Sequence, residues 1–195
     1  MRKIIFATKN SGKVHEIKSL LKDKYKIISL NEISKKPKII ESGSSFLENA
    51  FIKAKSLLQA FPDSIVMGED SGLSVDYLQG RPGIFSARYA GNHNDKKNIM
   101  KVLNELRGVP FKKRTAHFTT TIVLLGFPSK RKIFSKGLTR GHITLKAEGK
   151  DGFGYDPIFY SDELKKTFAQ ASITEKNSVS HRARAIFNLI SQINS

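Results

Sequence analysis

Cysteine and tryptophan are absent from this chain of 195 residues, and methionine occurs only three times. Without cysteine there is no disulfide framework, no thiolate nucleophile and no cysteine-ligated zinc. No apolar run approaches the roughly 18 residues of a membrane span. The opening Met1-Arg2-Lys3-Ile4-Ile5-Phe6 is too short for a secretory core. Histidine is sparse, with five residues scattered along the chain, so histidine zinc sites and a serine triad have no support. Zinc-finger, recognition-helix and RNA-binding signatures are missing as well. Acid is also scarce: 17 Asp and Glu face 34 Lys and Arg, leaving a net charge of +17. These absences imply a soluble protein of a reducing compartment, the cytoplasm, with no membrane partner.

What is present is an ordinary globular composition, 39% apolar and 26% charged. The length suits a single domain over residues 1–195, or one domain with a generous lobe. So large a positive charge attracts polyanions, either nucleic acid or multiply phosphorylated small molecules. The lysines are spread through every segment, densest at Lys22 to Lys26, Lys35 to Lys38, Lys112 to Arg114 and Lys130 to Lys132, with no basic tail. That spread reads first as a solvated surface, with a nucleic-acid face, and so a nucleic-acid-binding basic protein, as the other reading.

Periodicity predicts a strand at Lys3 to Ala7, then a polar loop, then a helix carrying Val14, Ile17, Leu20 and Leu21. A second strand covers Tyr25 to Leu30. Ser45-Phe46-Leu47-Glu48 has the form of a capping box opening a long helix that Pro62 closes. Ser64 to Gly68 and Leu73 to Leu78 read as two strands with a bend at Glu69-Asp70-Ser71-Gly72. A helix is expected around Asn94 to Arg107. A long β-branched strand follows at Thr115 to Leu125, with hairpin partners at Arg131 to Ser135 and His142 to Ala147. Gly149 to Pro157 is a glycine-rich turn, and one last helix runs from Asn177 to Ile193. The pattern is mixed α/β.

Five places carry chemistry. Thr8-Lys9-Asn10-Ser11-Gly12-Lys13 lies between a strand and a helix N-terminus, where free backbone N–H groups favour an anion. It lacks the spacing of a Walker loop, and a simple capped turn is the other reading. On the helix from Ser45, Lys53 falls on the apolar arc with Phe46 and Leu57, beside Asn49. Its amine either snorkels outward or points into a cleft. Glu69 and Asp70 sit where a strand delivers its carboxylates to a site, and alternation sends their side chains to opposite faces. A carboxylate there holds magnesium or activates a water; a self-bonded turn is the alternative. In the glycine-rich turn, Phe153 or Tyr155 offers a face for a base, unless both simply pack. On the last helix Arg182 lies among Leu189 and Ile193, near Lys176 and His181. A permanent cation there requires carboxylate, phosphate or carbonyl partners, and an internal salt bridge would serve.

Together these stretches resemble the inosine triphosphatase-like family, pyrophosphatases acting on non-standard purine nucleoside triphosphates. Phe6 to Lys13, Glu41 to Lys53, Gly68 to Leu73 with Pro82 to Tyr89, and Gly152 to Pro157 with Glu175 to Asn177 and Ser180 to Arg182 occur in family order. The resemblance implies hydrolysis of ITP, dITP and XTP to the monophosphate and pyrophosphate. It implies Mg²⁺ as cofactor and a homodimer. Its fold would be an elongated central mixed sheet flanked by helices, two lobes with the active-site cleft between them.

By the same likeness Asp70 is general base and metal ligand, with Glu41 as second ligand. Thr8, Lys9, Asn10, Ser11, Gly12, Lys13, Lys53 and Ser71 would grip the triphosphate. Phe153 would stack on the purine with Gly154 and Tyr155 beside it, while Asp156, Lys176, His181 and Arg182 read its edge or secure nearby groups. Two departures stand out: Glu69 where many members have aspartate, and Ala169-Gln170-Ala171 where an acid is common.

Overall fold

Strand alternation sets the layers of this protein. A computed structural model describes residues 1–21, 24–91, 93–128 and 130–194. Lys22, which heads one of the lysine groups, lies outside the described residues. The seven strands are β1 (Arg2–Phe6), β2 (Tyr25–Ser29), β3 (Ile65–Val75), β4 (Thr115–Phe127), β5 (Lys130–Ile143), β6 (Phe159–Ser161) and β7 (Lys166–Thr167). They form one sheet in the order β2-β1-β3-β4-β5-β6-β7. The pairs β1–β2 and β1–β3 are parallel, whereas β5–β6 and β6–β7 are antiparallel, so the sheet is mixed. The helices are α1 (Ser11–Leu21), α2 (Phe46–Ala60), α3 (Asp95–Glu105), α4 (Ile173–Val179) and α5 (His181–Asn194).

The chain divides into two compact units. Unit 1 holds Met1–Asp70, Thr120–Gly137 and Arg182–Ser195; unit 2 holds Ser71–Thr119 and Leu138–His181. In unit 1 the period-two rule is legible residue by residue. Ile4, Phe6, Met67, Ile122 and Leu124 join Ile17 and Leu21 of α1 and Ala185, Ile186 and Leu189 of α5. Their strand neighbours Ile5, Ala7, Val66, Val123 and Leu125 turn to the other face and meet Ala50, Ala54 and Leu57 of α2. Each of these buried Val, Leu, Ile, Phe and Met side chains contributes about 1.5–3 kcal/mol. Unit 2 gathers Leu73, Val75, Val102 and Leu106 around Phe118, Phe159 and Phe168.

α2 begins at Ser45, whose hydroxyl accepts the Glu48 N–H at 3.2 Å. Glu48 in turn accepts from the N–H and hydroxyl of Ser44, one residue earlier than a capping box requires. The helix lies directly on β3, because a Cβ at Gly68 would fall 2.0 Å from the Ala50 carbonyl oxygen. Only glycine permits that approach.

Three expectations change. β3 runs unbroken through Glu69-Asp70-Ser71-Gly72, so the acids lie inside a strand and not on a bend. β5 is one strand of 14 residues where two hairpin partners were expected. The last helix is two, α4 and α5, parted at Ser180, whose backbone is extended at φ −69° and ψ 151°. Leu47 of α2 and Phe187 of α5 are exposed.

Candidate active site

β1 ends at Phe6, and Ala7 donates its N–H to Met67 on β3 at 2.8 Å, so the polar loop starts alongside Gly68 and Glu69. Thr8 Oγ1 accepts the Asn10 N–H at 3.1 Å, and Asn10 Oδ1 accepts the Lys13 N–H at 3.0 Å. Asn10 therefore caps α1. Asn31 fixes the loop from the side by donating to the Lys9 carbonyl. Lys9, Asn10 and Ser11 are exposed, with Thr8, Gly12 and Lys13 half-buried. The loop is thus held in shape at a helix N-terminus, a setting that favours an anion, with a lysine in the first turn of the helix.

Asp70 faces α2. Its Oδ1 accepts from Lys53 Nζ at 2.8 Å and its Oδ2 from Asn49 Nδ2 at 3.3 Å. The same ammonium lies 2.8 Å from Glu41 Oε2 and donates to the Glu69 carbonyl at 3.2 Å. Lys53 is thus buried and does not snorkel. One cation joins two carboxylates from different segments. Burial pushes the Asp70 carboxyl above its ordinary range, although Lys53 and Lys13 pull the other way. Lys53 also loses hydration, but the charges of Asp70 and Glu41 outweigh that and hold its ammonium charged.

Glu69 faces the opposite side, as alternation requires. Its Oε1 accepts from Arg182 Nη2 at 2.8 Å and lies 3.7 Å from Lys13 Nζ. Arg182 also pairs with Glu16 of α1. Burial alone would raise Glu69, but the charges of Arg182 and Lys13 reverse this and hold it at about 2. Lys13 is lowered, chiefly by burial. Glu69 Oε2 is buried and makes no hydrogen bond among the described residues.

Unit 2 carries the glycine-rich turn. Asp156, buried, accepts the Phe153 N–H at 2.8 Å and pairs with Lys176 of α4. The Lys176 ammonium lies 5.0 Å from the Phe153 ring centre and 5.3 Å from that of Phe168, within cation–π range. A Cβ at Gly152 (φ +76°) would overlap the Asp156 carboxylate at 2.1 Å, so this cradle requires glycine. Tyr155 is buried and donates to the Ser86 carbonyl at 2.8 Å. His181 stacks on Phe118 at 4.6 Å. Ser71, half-buried, is the first residue of unit 2 on β3.

The sequence profile of the Ham1 family matches residues 4–192. The chain belongs to the Ham1 family. A dITP/XTP pyrophosphatase of Leuconostoc mesenteroides is 44% identical over 190 residues, covering 96% of this chain and 94% of its own. One from Clostridium perfringens is 47% identical over 196 residues, covering 97% and 96%. Among solved structures, the Staphylococcus aureus Ham1 protein superposes with a TM-score of 0.85 at 39% identity, covering 99% of this chain and 98% of its own. A Coxiella burnetii HAM1 protein gives 0.86 at 38% identity, covering 100% and 99%.

Within this Ham1 chain the four sequence stretches fall into two sets. Thr8 to Lys13, Glu41, Lys53, Asp70 and Arg182 belong to unit 1; Ser71, Phe153 to Asp156, Lys176 and His181 belong to unit 2. Arg182 is fully buried, its guanidinium committed to Glu69 and Glu16, which is the internal salt bridge its position allowed. Sequence reasoning left out Asn49 and Glu16. Asn49 stood beside Lys53 on the helical wheel, a usable signal. Glu16 had none, because an acid on a mostly polar helix face reads as solvated.

Proposed function

We propose that this protein hydrolyses non-standard purine nucleoside triphosphates, ITP, dITP and XTP, to the monophosphate and pyrophosphate. The observation that carries the reading is the Lys53 ammonium set 2.8 Å from both Asp70 and Glu41 beside the Thr8–Lys13 loop. Cations and an anion loop adjoin buried carboxylates, the combination phosphoryl transfer requires. The names borne by the L. mesenteroides and C. perfringens relatives support it further.

In this reading the loop N–H groups, the Thr8 hydroxyl, Lys13 and Lys53 take the triphosphate of the substrate. Asp70 accepts the proton of the water that attacks the α-phosphorus. The α–β anhydride bond breaks, and pyrophosphate leaves with its charge matched by the two lysines. An acid whose carboxyl is raised by burial is a better base than a solvated one. Glu69 stays ionised, and Arg182 serves the site through it, holding the strand that presents Asp70.

The donor set fits magnesium. The described residues contain no group of three or more histidines or acids able to hold a metal, but Mg²⁺ needs only one or two carboxylates plus waters and substrate phosphates. Asp70 and Glu41 both reach one cation already, and these two carboxylates would hold the metal. Bound there, Mg²⁺ would neutralise phosphate charge and polarise the reacting oxygens.

By the family likeness, Phe153, Lys176 and His181 are assigned to the base. Phe153 gives the stacking face, and Lys176 with His181 presents donors to which a 6-keto oxygen is the acceptor and which the adenine 6-amino group mismatches. Leaving donors unpaired costs enough for strong rejection of ATP. The resemblance also brings a homodimer and a cytoplasmic setting. Among the described residues no helix is long and apolar enough to cross a membrane.

Pyrophosphate release from ITP, XTP, GTP and ATP, with magnesium and with chelator, tests the reading. Fast magnesium-dependent release from ITP and XTP, with little from ATP and GTP, is expected. Equal turnover of all four, or none, would overturn it.

A further inference from the structure

The turn that carries Phe153 has little rigidity of its own. Gly152 and Gly154 both adopt left-handed backbone, at φ +76° and +59°, and Gly154 has open space where a Cβ would stand. The ring between them is held where contacts hold it. Several of those contacts come from nearby in the chain: the Lys150 and Asp151 N–H groups reach the Ala169 carbonyl, and Asp156 takes the Phe153 N–H. Two come from far away. Tyr155 reaches Ser86, and the Gly154 N–H donates to Asp95 Oδ2 at 3.0 Å across 59 positions of sequence.

Asp95 is well placed for this. It is the first residue of α3, behind Asn94, which caps the helix by accepting the Lys97 N–H at 3.0 Å. The helix fixes its backbone, so the carboxylate starts from a defined position at the head of α3. A hydrogen bond from a backbone N–H to a carboxylate is among the stronger kinds. Asp95 is exposed and adds nothing to the core, so burial does not explain its reach. Its one described hydrogen bond from another segment ends on the residue after Phe153.

We propose that Asp95 is a positioning residue for base recognition, clamping the Gly154 amide and thereby fixing the Phe153 ring on which a purine stacks. The inference rests on the reading of Phe153 as the stacking face. Asp95 touches no substrate; it acts by removing freedom from the turn before the nucleotide arrives. Loss of the clamp leaves the phosphate-binding residues of unit 1 untouched and makes the base order its own platform. The cost therefore appears in binding rather than chemistry.

The test pairs Asp95→Ala with Asp95→Asn, which keeps an acceptor oxygen. In nucleotide-free protein, Asp95→Ala should speed amide exchange across residues 152–155 by about tenfold, with exchange in the core helices unchanged. For ITP it should raise KM roughly tenfold, with kcat within about twofold, and lower the preference for ITP over ATP. Asp95→Asn should return KM to within about twofold of wild type. Unchanged exchange and KM in Asp95→Ala would overturn the proposal, as would an Asn variant as impaired as the Ala variant. If wild type releases no pyrophosphate from any nucleotide, the proposed function fails by itself. Exchange in the free protein then still decides the clamp.

Discussion

Asp70 and Glu69 are adjacent in the chain and opposite in electrostatic setting. Glu69 is locked at about 2 by Arg182 and Lys13. Asp70 is raised by burial while touching only Lys53 and the weaker donor Asn49 among its described hydrogen bonds. Two neighbouring acids pushed apart in this way mark a division of labour: one stays a fixed charge, the other can take a proton. Asp70→Asn keeps the size and an acceptor for Lys53, so the fold should survive with its melting temperature within a few degrees. Turnover should fall by about 10²–10⁴-fold, the usual worth of a general base. Steady-state kcat on ITP beside a thermal melt checks this; more than about a tenth of wild-type kcat would remove Asp70 as base. The sequence already showed the pair and their alternation. It could not show which acid meets which cation, since Arg182 lies 113 positions from Glu69.

Elements explain why some of the site was legible and some was not. The helix from Ser45 and its buried Lys53 could be read from spacing, because a charge on an apolar arc breaks the pattern. The parting of α4 from α5 could not, because residues 177–193 keep helical periodicity straight through Ser180 and nothing there forbids helix. What parts them lies at the junction, where the Thr139 hydroxyl donates to the Val179 carbonyl at 2.6 Å and Ser180 is extended. The start of α4 is capped separately, Ser172 accepting the Glu175 N–H while Glu175 accepts the Ser172 N–H and hydroxyl and pairs with Lys166. α4 is short and carries Lys176, so its cap matters to the turn of Phe153 and Asp156 that Lys176 contacts. The Lys166 and Ser172 hydrogen bonds hold Glu175 at about 2, against an ordinary 4.5. A carboxylate depressed on folding stabilises above its unfolded pKa and loses that contribution as pH falls through the folded one. Glu175→Gln retains an acceptor but no charge. The melting-temperature gap between wild type and Glu175→Gln should therefore be constant above about pH 5 and close as pH approaches about 2. Thermal melts from pH 2 to 7 would show it; a gap independent of pH would mean that the charge of Glu175 contributes nothing.

At the scale of the whole molecule, the chain passes between its two units along β3, β4 and β5 and again at His181–Arg182. No linker marks these crossings, which explains why the sequence reads as one continuous domain. Asp70 and Ser71 flank one crossing, and His181 and Arg182 flank another. Residues far apart in the chain are thus brought into both units by a few strands, and only folding reveals the grouping. The surplus charge is a property of the whole. Of the net +17, both units carry a share, unit 1 the larger. A field of that sign draws a triphosphate toward any part of the surface, and added salt screens it, the Debye length shrinking from about 10 Å at 0.1 M to about 3 Å at 1 M. If the charge serves substrate capture, raising salt from about 50 to 500 mM should raise KM for ITP several-fold while kcat stays within about twofold. Duplex DNA added at about 150 mM salt should then leave ITP turnover unchanged, since scattered lysines bind it weakly there. Inhibition by DNA at micromolar concentration, with a steep salt slope, would instead make the lysines a nucleic-acid surface. Steady-state kinetics across that salt range, with and without DNA, separates the two roles.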